Sequence, residues 1–395
     1  MNSFLLDSKI AATHLRKLTY DGAVRKYEFP LSSEIIERID FELEVICEKY
    51  NPNIFLILHD LVETMTKRGI MFGPGRGKMP SSVVAYCLGI TSIDPLQQHF
   101  IFELFLSPDR ISLPYLYLDV EDEYEAISYL KDKYGFSPEY FKDSGLFNLT
   151  IVKLYALSLI HNCLKLIKER RNEDININNI PLNDEATYRL LNRGDTVGIF
   201  HLEDNDAKYW LSQLNSICFN DLTAIIGLYN VGSRDDLANY CLRKNNNAHI
   251  KYLIPELEEY LHYTYGVTIY LEQIILISLK LAGFSRSEAD VLQYAISRKE
   301  KEKVEMFKEQ FISRGSANGY SEESLRLIWE SWETFRIHVN ESHAVSRALI
   351  SYQTAWLKCH YPVEFYMTLI ENPYSQDEVG TIMEDCKAHG IEMNK

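Results

Sequence analysis

Residues 73–120 read GPGRGKMPSSVVAYCLGITSIDPLQQHFIFELFLSPDRISLPYLYLDV, and the rest of the chain is interpreted around them. A glycine-rich turn over residues 73–77 leads into the helical segment VVAYCLG, for which Ser81 or Ser82 is the expected N-cap. The strand-like segment LPYLYLDV follows and ends in an acidic run. Backbone N–H groups of such a turn can hold phosphate, and carboxylates on a neighbouring strand can hold two metal ions. This order of elements is typical of a nucleotidyl-transfer site.

Tyrosines stand on the strand where such a site needs carboxylates. Tyr115, Tyr117 and Asp119 are spaced by two residues, so their side chains share one face of a strand. A single carboxylate cannot hold two metal ions. Strand alternation puts Glu121 on the face of Asp119, so a one-metal site is one interpretation of the acidic run. The favoured interpretation is a solvated helix start over residues 119–125, where acidic side chains interact well with the helix dipole.

Composition indicates an ordinary globular protein with an acidic bias. The 395 residues are 46% hydrophobic and carry 41 Lys and Arg against 56 Asp and Glu, a net charge of −15. That balance argues against strong nucleic-acid binding, although a local basic face is compatible with it. The seven cysteines show no CxxC pair and no Cys/His metal spacing, so zinc is not expected. No apolar run is long enough to span a bilayer, and we expect a cytoplasmic protein without membrane contact.

Apolar residues at helical spacing dominate outside the opening stretch. In SSEIIERIDFELEVICEKY a capping Ser32 or Ser33 precedes an apolar face, and Asn51 and Pro52 break the pattern. From residue 208 onward nearly every segment is helical. Strand signals are confined to LPYLYLDV, LFNLTIV and a few short segments. The sequence therefore predicts an α+β fold that is predominantly helical.

Several segments, taken in order, resemble the alpha subunits of bacterial DNA polymerase III, the C-family replicative DNA polymerases. They are LRKLTYDGA, ERIDFELEVI, GPGRG with VVAYCLGITSIDPL, FELFLSPDRISLP, RGDTVGIFHLE, YTYGVTIYLEQ, SHAVSRALISYQTAWLKCHYPVEF and DCKAHGIEM. The resemblance covers residues 15–395 and is weakest between 128 and 148. It implies a reduced palm related to the polymerase-beta nucleotidyltransferases, followed by a large helical fingers domain. Residues 1–70 would form entry and palm-thumb helices, residues 71–182 the reduced palm, and residues 183–395 the fingers.

The positions that carry the family's chemistry differ in this chain. Tyr115 and Tyr117 stand where the family has two metal-binding aspartates, and alignment on CLKLIKE places Thr150 at the third. The family uses Mg²⁺, which needs hard anionic oxygens that tyrosine and threonine do not supply. We therefore expect no intact catalytic residue and no cofactor. Asp119 and Glu121 are the remaining candidate metal ligands.

Other departures remove groups that would face the nucleotide or the template. Lys78 replaces the serine of the glycine turn, and Glu341 replaces a lysine. The resemblance also implies arginines at the positions of Asn230, Gln293 and Tyr294, and a glutamine at that of Leu271. His343 can also be interpreted as a buried, hydrogen-bonded histidine at a helix start. A vestigial nucleotide-binding site is expected from Gly73, Gly75, Arg76, Gly77, Lys78, Lys299 and His343.

The chain keeps the family's apolar core pattern but differs from the family at the positions that carry its chemistry. This contrast predicts a DNA polymerase III alpha-like protein of replication or repair that has lost polymerase catalysis. Such a protein would act as a scaffold or regulatory subunit, with DNA binding weak or absent. The expected partner is a protein, either another DNA polymerase or a clamp-loader component. Three alternatives stay open: an active polymerase fragment, a nucleotide- or DNA-binding module without catalysis, and a decayed gene product.

Overall fold

The computed structural model of the chain describes residues 5–107, 115–135, 147–229, 234–246, 250–333, 339–372 and 378–391. Contacts divide the chain into two units. The first unit is Met1–Ile180 with Tyr361–Lys395, and the second is Pro181–His360. Asn230, one of the departures named above, lies outside the described residues.

The first unit combines helices with a small sheet. Its elements up to the second unit are α1 Ser8–Lys26, α2 Ser33–Lys49, α3 Pro52–Lys67, α4 Val83–Cys87, β1 Tyr115–Val120, α5 Glu123–Tyr134, β2 Asn148–Lys153 and α6 Tyr155–Arg171.

The described residues of the second unit form helices joined by loops, with one isolated β-bridge between Tyr270 and Val339. The helices are α7 Glu185–Asn192, α8 Asn205–Ser212, α9 Phe219–Tyr229, α10 Arg234–Asn246, α11 Leu257–Leu261, α12 Leu271–Ala282, α13 Arg286–Arg298, α14 Lys301–Ala317, α15 Glu322–Glu333 and α16 Glu341–His360. The chain then returns to the first unit with α17 Pro362–Glu371 and α18 Glu378–Ala388.

Side-chain caps determine where the helices around the glycine turn begin. Ser32 Oγ accepts the Ile35 N–H at the start of α2, and Ser82 Oγ accepts the Ala85 N–H at the start of α4. Asn51 caps α3, whose first residue is a proline with the φ that a helix needs. Of the predicted caps, Ser32 and Ser82 are confirmed, and Asn51, which was predicted as part of a break, also caps a helix.

The two strands pair in parallel and bury one face. Tyr115 pairs with Asn148, Tyr117 with Thr150, and Asp119 with Val152. On the core-facing side the alternating apolar residues are buried against the helices of the first unit. Phe72 forms an isolated antiparallel bridge with Val120, which joins the glycine turn to the sheet. The opposite face of the sheet carries Tyr115, Tyr117 and Thr150.

The predicted fold class, a predominantly helical α+β protein, is confirmed. The proposed domain boundaries at residues 70 and 182 remain predictions. Residues 361–391, grouped with the fingers by sequence, pack with the first unit as far as they are described. Among the described helices, none is both long and apolar enough to cross a membrane.

Candidate functional site

Strand register brings the three substituted positions together. Tyr117 and Thr150 are direct neighbours across the β1–β2 pair, and Tyr115 lies two residues before Tyr117 on the same face. The two tyrosine rings stack with their centroids 6.4 Å apart and their planes at 13°. Tyr115 is 46% exposed and Thr150 is exposed. The surface at these three positions is therefore aromatic and hydroxylic, and none of the three contributes a carboxylate.

Asp119 is buried and paired with an arginine of the glycine turn. Its side chain has no exposed surface, and its Oδ1 lies 2.7 Å from Arg76 Nη1. The Arg76 guanidinium also lies 5.8 Å from the centre of the Tyr117 ring. The prediction that Asp119 begins a solvated helix start is wrong, because Asp119 is a strand residue. Asp122 caps α5 instead, accepting the N–H groups of Tyr124 and Glu125.

The glycine turn packs directly on β1. The Gly73 N–H donates to the Asp119 carbonyl oxygen at 2.9 Å, and a Cβ on Gly73 would lie 2.9 Å from the Asp119 Cβ. Gly77 has φ of +61°, and a Cβ there would lie 3.4 Å from the Tyr117 ring. Glycine is needed at position 73 because of this close approach, and is favoured at position 77 because of its positive φ. Arg76 is thereby held over the sheet, with its cation against Asp119.

The start of α4, near the predicted phosphate site, is bound by a carboxylate of the protein. Glu42 is fully buried and accepts the N–H groups of Val83 at 3.0 Å and Val84 at 3.1 Å. Its carboxylate also accepts Ser82 Oγ at 2.7 Å and Arg38 Nε at 2.7 Å. The N–H groups that open α4 therefore already have a carboxyl group of the protein as their acceptor. Sequence reasoning missed Glu42, although its spacing of four residues from Arg38 within an apolar face was a signal.

Glu121, the second candidate metal ligand, has a different partner from Asp119. Its two carboxylate oxygens lie 2.8 and 2.7 Å from His161 Nδ1, and one accepts the Met71 N–H at 3.1 Å. Asp119 and Glu121 thus each contact another side chain of the protein. Groups of three metal-capable side chains do occur among the described residues, but neither carboxylate belongs to one.

The remaining predicted residues belong to the second unit. Lys299 is exposed and follows the last residue of α13, with φ of 57°. His343 is the third residue of α16 and is partly exposed, so its interpretation as a buried histidine is wrong although its place at a helix start is right. Glu341 begins α16, and its N–H donates to a Glu272 carboxylate oxygen at 3.0 Å. Burial and the Glu272 carboxylate raise the pKa of Glu341 to about 8. Two acidic residues therefore meet where the resemblance implies a lysine.

We expect Asp119→Ala to lower the free energy of unfolding by about 2 kcal/mol, because it leaves the Arg76 cation without its anion. The loss falls short of that for a fully buried pair, since the Arg76 side chain is 30% exposed and can be hydrated. Urea denaturation measures the effect. Glu125→Ala, which removes an exposed carboxylate from α5, is the control. Equal stability of the two variants would contradict the ion pair.

Comparison with known proteins finds two family models that match separate parts of the chain. The bacterial DNA polymerase III alpha NTPase domain matches residues 13–141. The bacterial DNA polymerase III alpha subunit finger domain matches residues 156–319. The glycine turn and β1 lie within the first match, and β2 lies between the two.

Curated relatives give a consistent result along nearly the whole chain. The DNA polymerase III subunit alpha of Halalkalibacterium halodurans is 29% identical, over 96% of this chain and 45% of its own length. The corresponding subunit of Aquifex aeolicus is 27% identical, over 98% of this chain and 46% of its own length. That of Mycobacterium tuberculosis is 28% identical, over 98% of this chain and 44% of its own length. The chain thus spans less than half the length of these relatives.

Proposed function

This chain is a homologue of the bacterial DNA polymerase III alpha subunits, and from that premise we propose that it lacks nucleotidyl-transfer activity and serves as a non-catalytic scaffold or regulatory protein. One observation carries the proposal. The face of β1 and β2 that would hold metal ions presents Tyr115, Tyr117 and Thr150, and the carboxylate of Asp119 on β1 is bound to Arg76.

Metal chemistry supports the loss of catalysis. Two-metal phosphoryl transfer needs several anionic oxygens around ions about 4 Å apart. The phenols and the hydroxyl at the three positions are neutral and do not supply them. A guanidinium 2.7 Å from Asp119 Oδ1 would also repel a divalent cation at that carboxylate. Arg76 thus takes the role of counter-cation that a metal ion would otherwise have at Asp119.

A scaffold role is supported by a contrast between the positions expected to bind metal, which lack carboxylates, and the apolar core, which is well packed. The sheet, the glycine turn and the capped helices around it are well packed, and their apolar residues are buried. A surface that contacts a partner needs this framework but not the carboxylates. The proposed partner is another DNA polymerase or a clamp-loader component. The net charge of −15 fits a protein partner better than extensive contact with DNA.

A second candidate, nucleic-acid binding without catalysis, is favoured by one observation. Tyr115, which stacks on Tyr117, is 46% exposed, and a nucleobase can stack on an exposed aromatic side chain. The nearby cation of Arg76 lies over the Tyr117 ring. This candidate keeps the loss of catalysis and differs from the scaffold only in the partner.

We expect the purified chain to give no primer extension above a protein-free blank, with all four deoxynucleotides and either Mg²⁺ or Mn²⁺. A catalytically active relative on the same primer and template serves as the positive control. Product that depends on metal and is abolished by Asp119→Ala would overturn the proposal, because Asp119 would then be a metal ligand.

Two further measurements separate the candidates once extension is absent. Co-elution in size-exclusion chromatography with a purified replicative polymerase subunit or a clamp-loader subunit would favour the scaffold. Fluorescence anisotropy of a single-stranded oligonucleotide would favour the binding module if the affinity falls in Tyr115→Ala. Neither result would restore a catalytic role.

A further inference from the structure

A thiol, an imidazole and a carboxylate meet in the second unit, away from the elements described above. Asp184 precedes α7, and Cys359 and His360 are the last two residues of α16. One ligand atom from each side chain lies within 4.8 Å of the other two. Because Asp184 is far from the other two in sequence, the spacing of cysteines and histidines gave no sign of this cluster.

The carboxylate is oriented by its neighbours and keeps one oxygen available. Asp184 Oδ2 accepts the Thr187 N–H at 2.9 Å and the Thr187 hydroxyl at 2.6 Å, and it lies 2.9 Å from His360 Nε2. Among the described residues, all hydrogen bonds to this carboxylate fall on Oδ2. The carboxylate is therefore held in place by its hydrogen-bonding neighbours, with Oδ1 outside those bonds.

Asp184 caps α7 and contacts His360, so the positions of these two side chains can be explained without a metal ion. Cys359 takes part in neither the cap nor that contact, and its thiol lies beside the Thr187 side chain. The side chains of Asp184 and His360 are 21% and 35% exposed, which gives an ion access from solvent.

We propose that Asp184 Oδ1, Cys359 Sγ and His360 Nε2 bind one Zn²⁺ ion, with water as the fourth ligand. Thiolate, imidazole and carboxylate together suit Zn²⁺, whereas Mg²⁺ and Ca²⁺ prefer a set made of oxygens. Ligands at about 2.0 to 2.3 Å in a tetrahedral site lie about 3.3 to 3.8 Å apart. One ligand atom from each side chain already lies within 4.8 Å of the others, so each pair of these atoms must approach by about 1.5 Å at most. Binding releases the thiol proton to solvent, and the neutral imidazole carries its proton on Nδ1.

Such an ion would fasten the segment before α7 to the C-terminal end of α16. It would cross-link residues that are remote in sequence, and a ligand that binds only the folded state raises its stability. The role assigned to the ion is to join these two segments of one unit, while the water keeps the fourth position open.

Metal titration of the full chain tests the proposal. The protein is first freed of metal with a chelator and is kept reduced with a phosphine. One equivalent of Co²⁺ should give a thiolate-to-cobalt charge-transfer band, which Zn²⁺ then displaces. Zn²⁺ should also raise the melting temperature. Cys359→Ser should abolish the band and weaken Zn²⁺ binding at least tenfold.

Two further variants make the test specific. Cys218→Ser removes an exposed thiol of the same unit and should leave band and affinity unchanged. Asp184→Asn still caps α7, so it should weaken Zn²⁺ binding while the metal-free chain keeps its melting temperature. Absence of the band in the unmodified chain, or its persistence in Cys359→Ser, would overturn the proposal.

Discussion

Glu42→Ala is expected to lower the melting temperature by about 10 °C, which corresponds to about 4 kcal/mol of unfolding free energy for a unit of this size. The Glu42 carboxylate is fully buried and binds Arg38, the Ser82 hydroxyl and the N–H groups of Val83 and Val84. Alanine leaves a cation and two backbone donors inside the protein without their acceptor, and each carries a desolvation penalty. Differential scanning calorimetry measures the shift.

Two variants at and near this position separate charge from volume. Glu42→Gln keeps the shape and one acceptor oxygen, so we expect a smaller loss, of about 2 kcal/mol. Glu44→Ala changes an exposed carboxylate of the same helix and should shift the melting temperature by less than about 2 °C. A melting temperature for Glu42→Ala equal to that of Glu44→Ala would mean that Glu42 does not bind the start of α4 in solution.

Lys358→Ala is expected to lower the unfolding free energy by about 3 to 5 kcal/mol, the range found when a buried ion pair loses one partner. The Lys358 side chain has no exposed surface, and its Nζ lies 2.7 Å from Asp195 Oδ1 and 3.1 Å from the Val197 carbonyl oxygen. Alanine removes the cation and most of the buried aliphatic stem. Urea denaturation followed by tryptophan fluorescence measures the loss.

A double variant identifies the source of that loss. Lys358→Met keeps the stem and removes the charge, and the added change Asp195→Leu removes the anion that is left behind. We expect the double variant to recover much of the stability, because apolar pairs of similar volume replace buried ion pairs well. Lys280→Met, an exposed site on α12, is the control and should be neutral. A double variant no more stable than Lys358→Met alone would show that the ion pair does not carry the effect.

Local chemistry made much of the first unit predictable. Ser32, Asn51 and Ser82 cap helices where hydroxyl or amide side chains precede an apolar pattern. Alternation along LPYLYLDV correctly placed Tyr115 and Tyr117 on one face of a strand. These features depend on residues within about four positions of one another, and that is the range over which propensity and periodicity act.

Contacts between distant residues could not be read in the same way. Arg76 reaches Asp119 across 43 positions, and Val84 reaches Glu42 across 42. The prediction for Asp119 was wrong because acidic residues occur both at the buried end of β1 and at the start of α5. The sequence shows no boundary between the two. The cluster at Asp184, Cys359 and His360 gives no local sequence signal, because Asp184 and His360 are 176 positions apart.

The ion pair between Arg76 and Asp119 also affects how such a protein can evolve. The Arg76 guanidinium lies 5.8 Å from the centre of the Tyr117 ring, so we expect an aspartate introduced at position 117 to compete with Asp119 for that cation. Removal of Arg76 alone would leave Asp119 buried without a cation, at a cost in stability. If catalysis is lost as proposed, we expect the pair to oppose its stepwise return, because a single substitution at either position is unfavourable or without benefit.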